Sequence, residues 1–304
     1  MVQARGAEAV AFVDKFTTAP LLTLTEGDGA EGFFADARGW VIALTTILRT
    51  NEGLWIECDA ASAPRLSSHL EHYHIREQVE FTDTTDTFFG VAVVGPEAAA
   101  WLAMHTADAV PMKPLVHGRV RLGDVDTLVL CTDRFGGIDY LVFIPREASS
   151  RLLAWLTATS LPQANPDDLA SLRIEAGCPE ACDIPEKTLP QELSRPPRAI
   201  SFTKGCYLGQ ETVARIDALG HVNRTLSLVA VAGHPPRVGS VIVDANGESL
   251  GTITSSCRSP RFGGGLGLAL VHRRGQMASG LVADERPARL IPIDHPAIPS
   301  DERS

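Results

Sequence analysis

Lys204-Gly205-Cys206-Tyr207-Leu208-Gly209-Gln210-Glu211 is the stretch on which the reading of this chain turns. Its two glycines allow a tight backbone path, while Lys204, Gln210 and Glu211 supply hydrogen-bond donors and acceptors. Cys206 sits two positions from a cation, and a neighbouring positive charge favours a reactive thiolate. The alternative is a small apolar residue packed in a turn. The local pattern leaves both readings open.

Working outward, residues 173–211 hold five prolines, at 179, 185, 190, 196 and 197, and little periodicity. A long irregular stretch inside a compact protein is either functional or disordered. This one also carries Arg173-Ile174-Glu175-Ala176-Gly177, which favours function. Upstream, apolar spacing predicts helices at 6–16, 62–73 (Ser62 as N-cap, Pro64 in the first turn), 97–105 and 150–157. Strands are predicted at 21–24, 39–48, 53–58, 88–94, 127–131 and 138–144, the last two around Asp133-Arg134-Phe135-Gly136-Gly137. Strands and helices do not alternate regularly, so the fold class is α+β. After Gly220 the chain turns strand-rich, with 238–243 and 250–254 joined by Asp244-Ala245-Asn246-Gly247 and a further strand at 266–271. Short strands with turn signals predict a small β-barrel and a boundary near 218–224.

The 304 residues suffice for two or three domains, and 44% hydrophobic with 21% charged is ordinary globular composition. A formal charge of −10 argues against direct nucleic-acid binding through phosphate contacts. No apolar run approaches a membrane span, and Glu8 and Asp14 interrupt the first residues, unlike a secretory or transit segment. A cytoplasmic protein with mostly reduced thiols at its six cysteines is expected. Cys178 and Cys182 lack a second ligand pair nearby and read as packed thiols, so no metal is expected. His69, His72 and His74 read as surface histidines at a helix end, and Gly263-Gly264-Gly265 as a turn without the lysine of a phosphate loop.

The Lys204 segment resembles the signature Lys-Gly-Cys-Tyr-x-Gly-Gln-Glu of the YgfZ family, matched here at every fixed position. Arg173-Ile174-Glu175-Ala176-Gly177 is similar to a motif that YgfZ proteins share with the glycine-cleavage T-protein, an aminomethyltransferase. Thr188-Leu189-Pro190-Gln191-Glu192 resembles the loop that follows it. Ala214-Arg215 and Gly220-His221-Val222-Asn223-Arg224 resemble the link to a C-terminal barrel, and residues 251–255 with Ser259-Pro260 the barrel itself. In the N-terminal third the strand before the first helix is reduced to residues 1–5, and Ala19-Pro20 stand where the family shows an acidic residue.

The resemblance implies a T-protein-like fold of two interleaved α+β domains around a central funnel, with a C-terminal β-barrel. The expected division is 1–50 with 136–217, then 51–135, then 218–304. Tetrahydrofolate or a derivative is the implied cofactor, with Arg173, Glu175, Gly177, Lys204, Tyr207, Gly209 and Gln210 binding it. Glu175 takes the pterin's ring N–H and amino group in a two-point hydrogen bond, with a salt bridge to Arg173 as the plainer alternative. Lys204 or Arg198 reaches toward the folate's glutamate end, and Cys206 is the functional thiol. The implied role is folate-dependent support of iron–sulfur enzymes, including one that thiolates tRNA, with those enzymes or their assembly factors as partners. Where the T-protein has two acidic residues after Gly-Gly-Ile, this chain has Ala43 and Leu44, with Asp36 the only acidic residue nearby. Without that carboxylate, proton handling at a transferred aminomethyl group loses its agent. Aminomethyl transfer is the second reading, and an interaction module with a decayed folate site the third.

Overall fold

The computed structural model describes residues 1–159 and 161–293; Ser160 and residues 294–304 of the expected barrel domain lie outside them. Two units carry the chain. Met1–Ala35, Ile42–Ala164 and Thr203–Leu208 make the first, and Asp36–Val41, Asn165–Phe202 and Gly209–Ser304 the second. The division expected from sequence falls at 50, 135 and 217 instead.

In chain order the first unit contains β1 (Val2–Arg5), α1 (Ala9–Asp14), β2 (Gly29–Ala35), β3 (Val41–Thr50), β4 (Gly53–Glu57), α2 (Ala63–Tyr73) and β5 (Glu80–Asp83). The strands form one sheet in the order β2-β3-β4-β1-β5. Within the segment read as a remnant by sequence, Val2–Arg5 is thus an interior strand, with Gln3 opposite both Trp55 and Thr82. The strand expected at 21–24 is a 3-10 turn, Leu21–Thr23. Asp14 Oδ1 accepts the Leu21 N–H at 2.8 Å, and Leu24 N–H turns back to the Leu21 carbonyl, which leaves no ladder to join. On α2, Ala63, Leu66 and Leu70 recur at helical spacing and face the core. Each fully buried leucine there contributes about 2 kcal/mol.

A second sheet in this unit has the order β6-β9-β8-β7, from β6 (Phe88–Val93), β7 (His117–Leu122), β8 (Val125–Thr132) and β9 (Asp139–Pro145). Alternation sorts its faces. Tyr140, Val142 and Ile144 pack with α3 (Ala98–His105) and α4 (Ser149–Ala158), while Leu141 and Phe143 pack with Leu48 and Trp55 of the first sheet. His117 joins the sheet edges: its N–H donates to the Gly27 carbonyl, and its ring hydrogen-bonds the Arg49 backbone. Burial pushes this imidazole down to about 4, against the weaker upward pull of Asp28 and the Arg49 backbone.

The second unit holds α5 (Pro166–Glu175), α6 (Pro196–Ala199) and α7 (Gln210–Leu219), then a barrel of β10 (Arg224–Ala232), β11 (Val241–Val243), β12 (Ser249–Ser259), β13 (Gly264–His272), β14 (Val282–Ala283) and β15 (Arg286–Pro292). The barrel closes in the order β10-β13-β12-β11-β14-β15, with β15 back against β10, around Val229, Val231, Ile242, Ile253 and Val271. Of the glycine run read as a turn, Gly264 and Gly265 belong to β13; only Gly263 turns the chain, at φ +84°. Among the described residues no helix is long and apolar enough to cross a membrane.

Candidate functional site

The candidate residues fall into two groups, one in each unit. In the second unit the irregular stretch is more ordered than its prolines suggest, because Arg173 and Glu175 close the last turn of α5. Asn165 caps that helix by accepting the Asp168 N–H at 2.9 Å, and Pro166 takes the first position, where no N–H is needed. Gly177 ends it with φ +67°, and a Cβ there would lie 2.6 Å from Ile293. Gly177 is therefore a helix terminator that also admits a close neighbour.

Arg173 is buried and spent on the protein itself. Its Nη1 donates to the Cys178 carbonyl at 2.6 Å and to Asp183 Oδ2 at 2.9 Å, and its Nη2 to Ser255 Oγ at 3.0 Å. Asp183, with no exposed surface, also accepts from the Glu180 N–H, Thr254 Oγ1 and Ser255 Oγ. The pair fastens the end of α5 to β12, with Arg173 Nε, 3.3 Å from Glu180 Oε1, left without a hydrogen bond among the described residues. The ion pairs of Arg173 are with Asp183 and Glu180, not the one with Glu175 weighed from sequence.

Glu175 differs. Half-buried, it has one hydrogen-bond partner among the described residues, Ser259 Oγ, which donates to Oε1 at 2.5 Å. A carboxylate at the C-terminal end of a helix also opposes the helix dipole, an unfavourable placement of roughly 0.3–1 kcal/mol. Stability does not explain it. Oε1 is anchored and no partner of Oε2 is found among the described residues, an arrangement in which a carboxylate can accept two adjacent donors.

In the first unit Lys204 is not a free surface cation. Its side chain is 3% exposed, and Nζ donates to the carbonyls of Asp14 (2.6 Å), Thr17 (2.8 Å) and Ala19 (2.7 Å), with Asp14 Oδ1 at 3.1 Å. An ammonium has three N–H bonds, and three carbonyls take them. Burial lowers the lysine's pKa, and Asp14 offsets that in part. A role at the glutamate end of a ligand thus has no donor left to use. Tyr207 is buried with its ring 5.4 Å from Nζ, and burial pushes its phenol up to about 12. Leu208 N–H donates to the Lys15 carbonyl, while Cys206 is exposed.

After Leu208 the segment passes into the second unit. Gly209, at φ +82°, is the residue before α7, and a Cβ there would meet the Asp36 carbonyl at 2.6 Å. Gln210 and Glu211, read as loop residues, open the helix, where Glu211 suits the positive end of its dipole. Arg198 lies partly buried on α6.

The acidic residues near Ala43 are also tied down. The Asp36 carboxylate accepts the N–H groups of Arg38 and Trp40, both at 2.9 Å, and so shapes its own turn. Sequence reading missed Glu57, the cross-strand partner of Thr46. Burial alone would raise its pKa, but Arg134, bonded through both terminal nitrogens at 2.9 and 2.6 Å, outweighs burial and holds the carboxyl low. A paired, ionised carboxylate is a poor proton acceptor. His69, expected at the surface, packs edge-on against Phe16 and Tyr73. Among the described residues no three His, Cys, Asp or Glu side chains gather as a metal site.

Known proteins share this architecture. A family model described as the GCVT N-terminal domain matches residues 1–193. The tRNA-modifying protein YgfZ of Aliivibrio fischeri is 25% identical over 87% of this chain and 79% of its own. An aminomethyltransferase of Rubrobacter xylanophilus is 26% identical over 95% and 78%. The mitochondrial iron–sulfur cluster assembly factor IBA57 of Mus musculus is 29% identical over 64% of this chain, which spans about half (51%) of that protein. Among solved structures, glycine cleavage system aminomethyltransferase T from Bartonella henselae superposes with a TM-score of 0.81, covering 95% of this chain and 81% of that one. At 19% identity that likeness speaks for the fold.

Proposed function

The chain belongs to the GCVT N-terminal domain family, as a YgfZ-type member of the T-protein superfamily, and on that premise we propose that it is a cytoplasmic tetrahydrofolate-binding protein supporting the assembly or upkeep of iron–sulfur enzymes, and through them tRNA modification. The observation that carries the reading is Glu175, a carboxylate set against its helix dipole with one oxygen fixed and the other without a partner among the described residues. It would hold the pterin edge. Bound there, a reduced folate supplies nitrogens able to carry a one-carbon unit. Cys206, exposed within the matched segment, is a thiol available for chemistry; Cys182 is exposed as well, but burial of its sulfur pushes that thiol's pKa up. Relatives named for tRNA modification and iron–sulfur cluster assembly support the wider role.

Aminomethyl transfer is the second reading, favoured by the aminomethyltransferases among the relatives. Ala43 and Leu44 on β3, and the commitment of Asp36 and Glu57 elsewhere, count against it. Titration calorimetry with tetrahydrofolate on folate-stripped protein tests the first reading. Wild type should bind, and Glu175→Gln should bind about 10- to 100-fold more weakly, since hydrogen bonds to a charged group are worth roughly 1.5–3 kcal/mol. Absence of binding by wild type would sink the reading, and robust turnover of an aminomethyl-lipoyl carrier protein would replace it with the second.

A further inference from the structure

We propose that Ser259 is the positioning residue that aims the Glu175 carboxylate and sets its selectivity for a ligand edge with two adjacent N–H donors. This rests on Glu175 being the pterin-holding carboxylate. Ser259 ends β12 and has no exposed surface. It caps the 3-10 turn Pro260–Phe262, whose first position is a proline, and its Oγ accepts the Phe262 N–H at 3.3 Å. A serine hydroxyl has one proton and two lone pairs. With a lone pair turned to Phe262, the proton is directed at Glu175 Oε1, 2.5 Å away. The turn therefore fixes the hydroxyl, and the hydroxyl fixes the carboxylate.

The consequence is one of selectivity. A carboxylate offers about four acceptor sites, and Ser259 occupies one on Oε1. The rest face a ligand as two oxygens in a fixed plane, spaced for an amide N–H beside an exocyclic amino group. A ring lacking that amino group leaves Oε2 unpaired, a discrimination that depends on the plane being held. Once Ser259 is removed the carboxylate can rotate to follow a single donor, so the penalty for the poorer ligand shrinks. The ladder of β12 makes the contact specific: Ser255 takes Arg173 and Ser259, four residues on, takes Glu175.

The test compares calorimetric binding of tetrahydrofolate and its 2-desamino analogue, in which hydrogen replaces the exocyclic amino group. Wild type should prefer tetrahydrofolate by about 100-fold. Ser259→Ala should weaken tetrahydrofolate about tenfold and leave the analogue nearly unchanged, cutting the preference to roughly tenfold. Ser259→Thr, which keeps the hydroxyl, should restore it. Ser259→Cys keeps the volume with a feeble donor and should behave as alanine does, which covers the case of an alanine variant that does not fold. An unchanged preference in both variants, or equal loss of both ligands, overturns the proposal and leaves Glu175 standing. Wild type that binds neither ligand removes the Glu175 reading and this proposal with it.

Discussion

Lys204 shows how residue identity and residue role can part. Within the matched segment it reads as a ligand cation, yet its ammonium closes a cage of three carbonyls. Lys204→Met would take the ammonium away from those carbonyls and leave the buried Asp14 carboxylate without its countercharge, held only by the Leu21 N–H, at a cost of about 3–5 kcal/mol. Chemical denaturation should register that loss; a variant as stable as wild type would refute the structural role. Nothing local announces the cage, since its partners lie up to 190 residues away. Ser259 did have a local signal, since Ser-Pro is the N-cap and first-position pattern of a helical turn, but it was read only as part of the barrel. Its partner Glu175 stood out in the sequence only through the family motif, and which hydroxyl meets it depends on the register of α5 on β12.

Among the elements, long periodic or β-branched runs were readable: α2, β6, β9 and the Asn-Gly hairpin all stand close to where their patterns put them. The misses have separate causes. β2 reads Gly-Ala-Glu-Gly-Phe-Phe-Ala, and its Gly32 is needed because a Cβ would strike Thr17 Oγ1 at 2.6 Å. Close approach thus erases the strand signal it depends on. β7 carries Arg119 and Arg121 on an edge, where charge blunts pairing and masks propensity. The start of α5 had a signal in Asn-Pro-Asp-Asp, overshadowed by the prolines downstream. The turn before α7 separates the two glycines of the matched segment. Gly209→Ala must place a Cβ against the Asp36 carbonyl at positive φ, costing about 1–3 kcal/mol. Gly205→Ala meets nothing within 4 Å and should lie within about 0.5 kcal/mol of wild type. Melting both variants checks the contrast, and equal destabilisation would contradict it.

For the molecule as a whole, the α+β class and the barrel followed from turn chemistry and strand spacing, whereas the interleaving of chain segments did not. Residues 203–208 belong to the first unit although they follow Asn165–Phe202 of the second. Acid stability is a property of this scale, because His117 joins two sheets. Its folded pKa, about 4, lies below the unfolded value, so the unfolded chain binds the extra proton between those values. Stability is intact above about pH 6.5 and declines as pH falls toward 4, by about 2 kcal/mol between pH 7 and 5 for this group. Urea melts at those two pH values should show a slope that His117→Gln flattens; an equal slope in both proteins would assign the loss elsewhere.

The lysine cage also imposes an order in time. Asp14 leaves the ribosome 190 residues ahead of Lys204, and at roughly 5–20 residues per second that interval is about 10–40 s. Until Lys204 arrives the three carbonyls lack their ammonium, so the unit begun first is finished late in synthesis, after all of the intervening chain already exists.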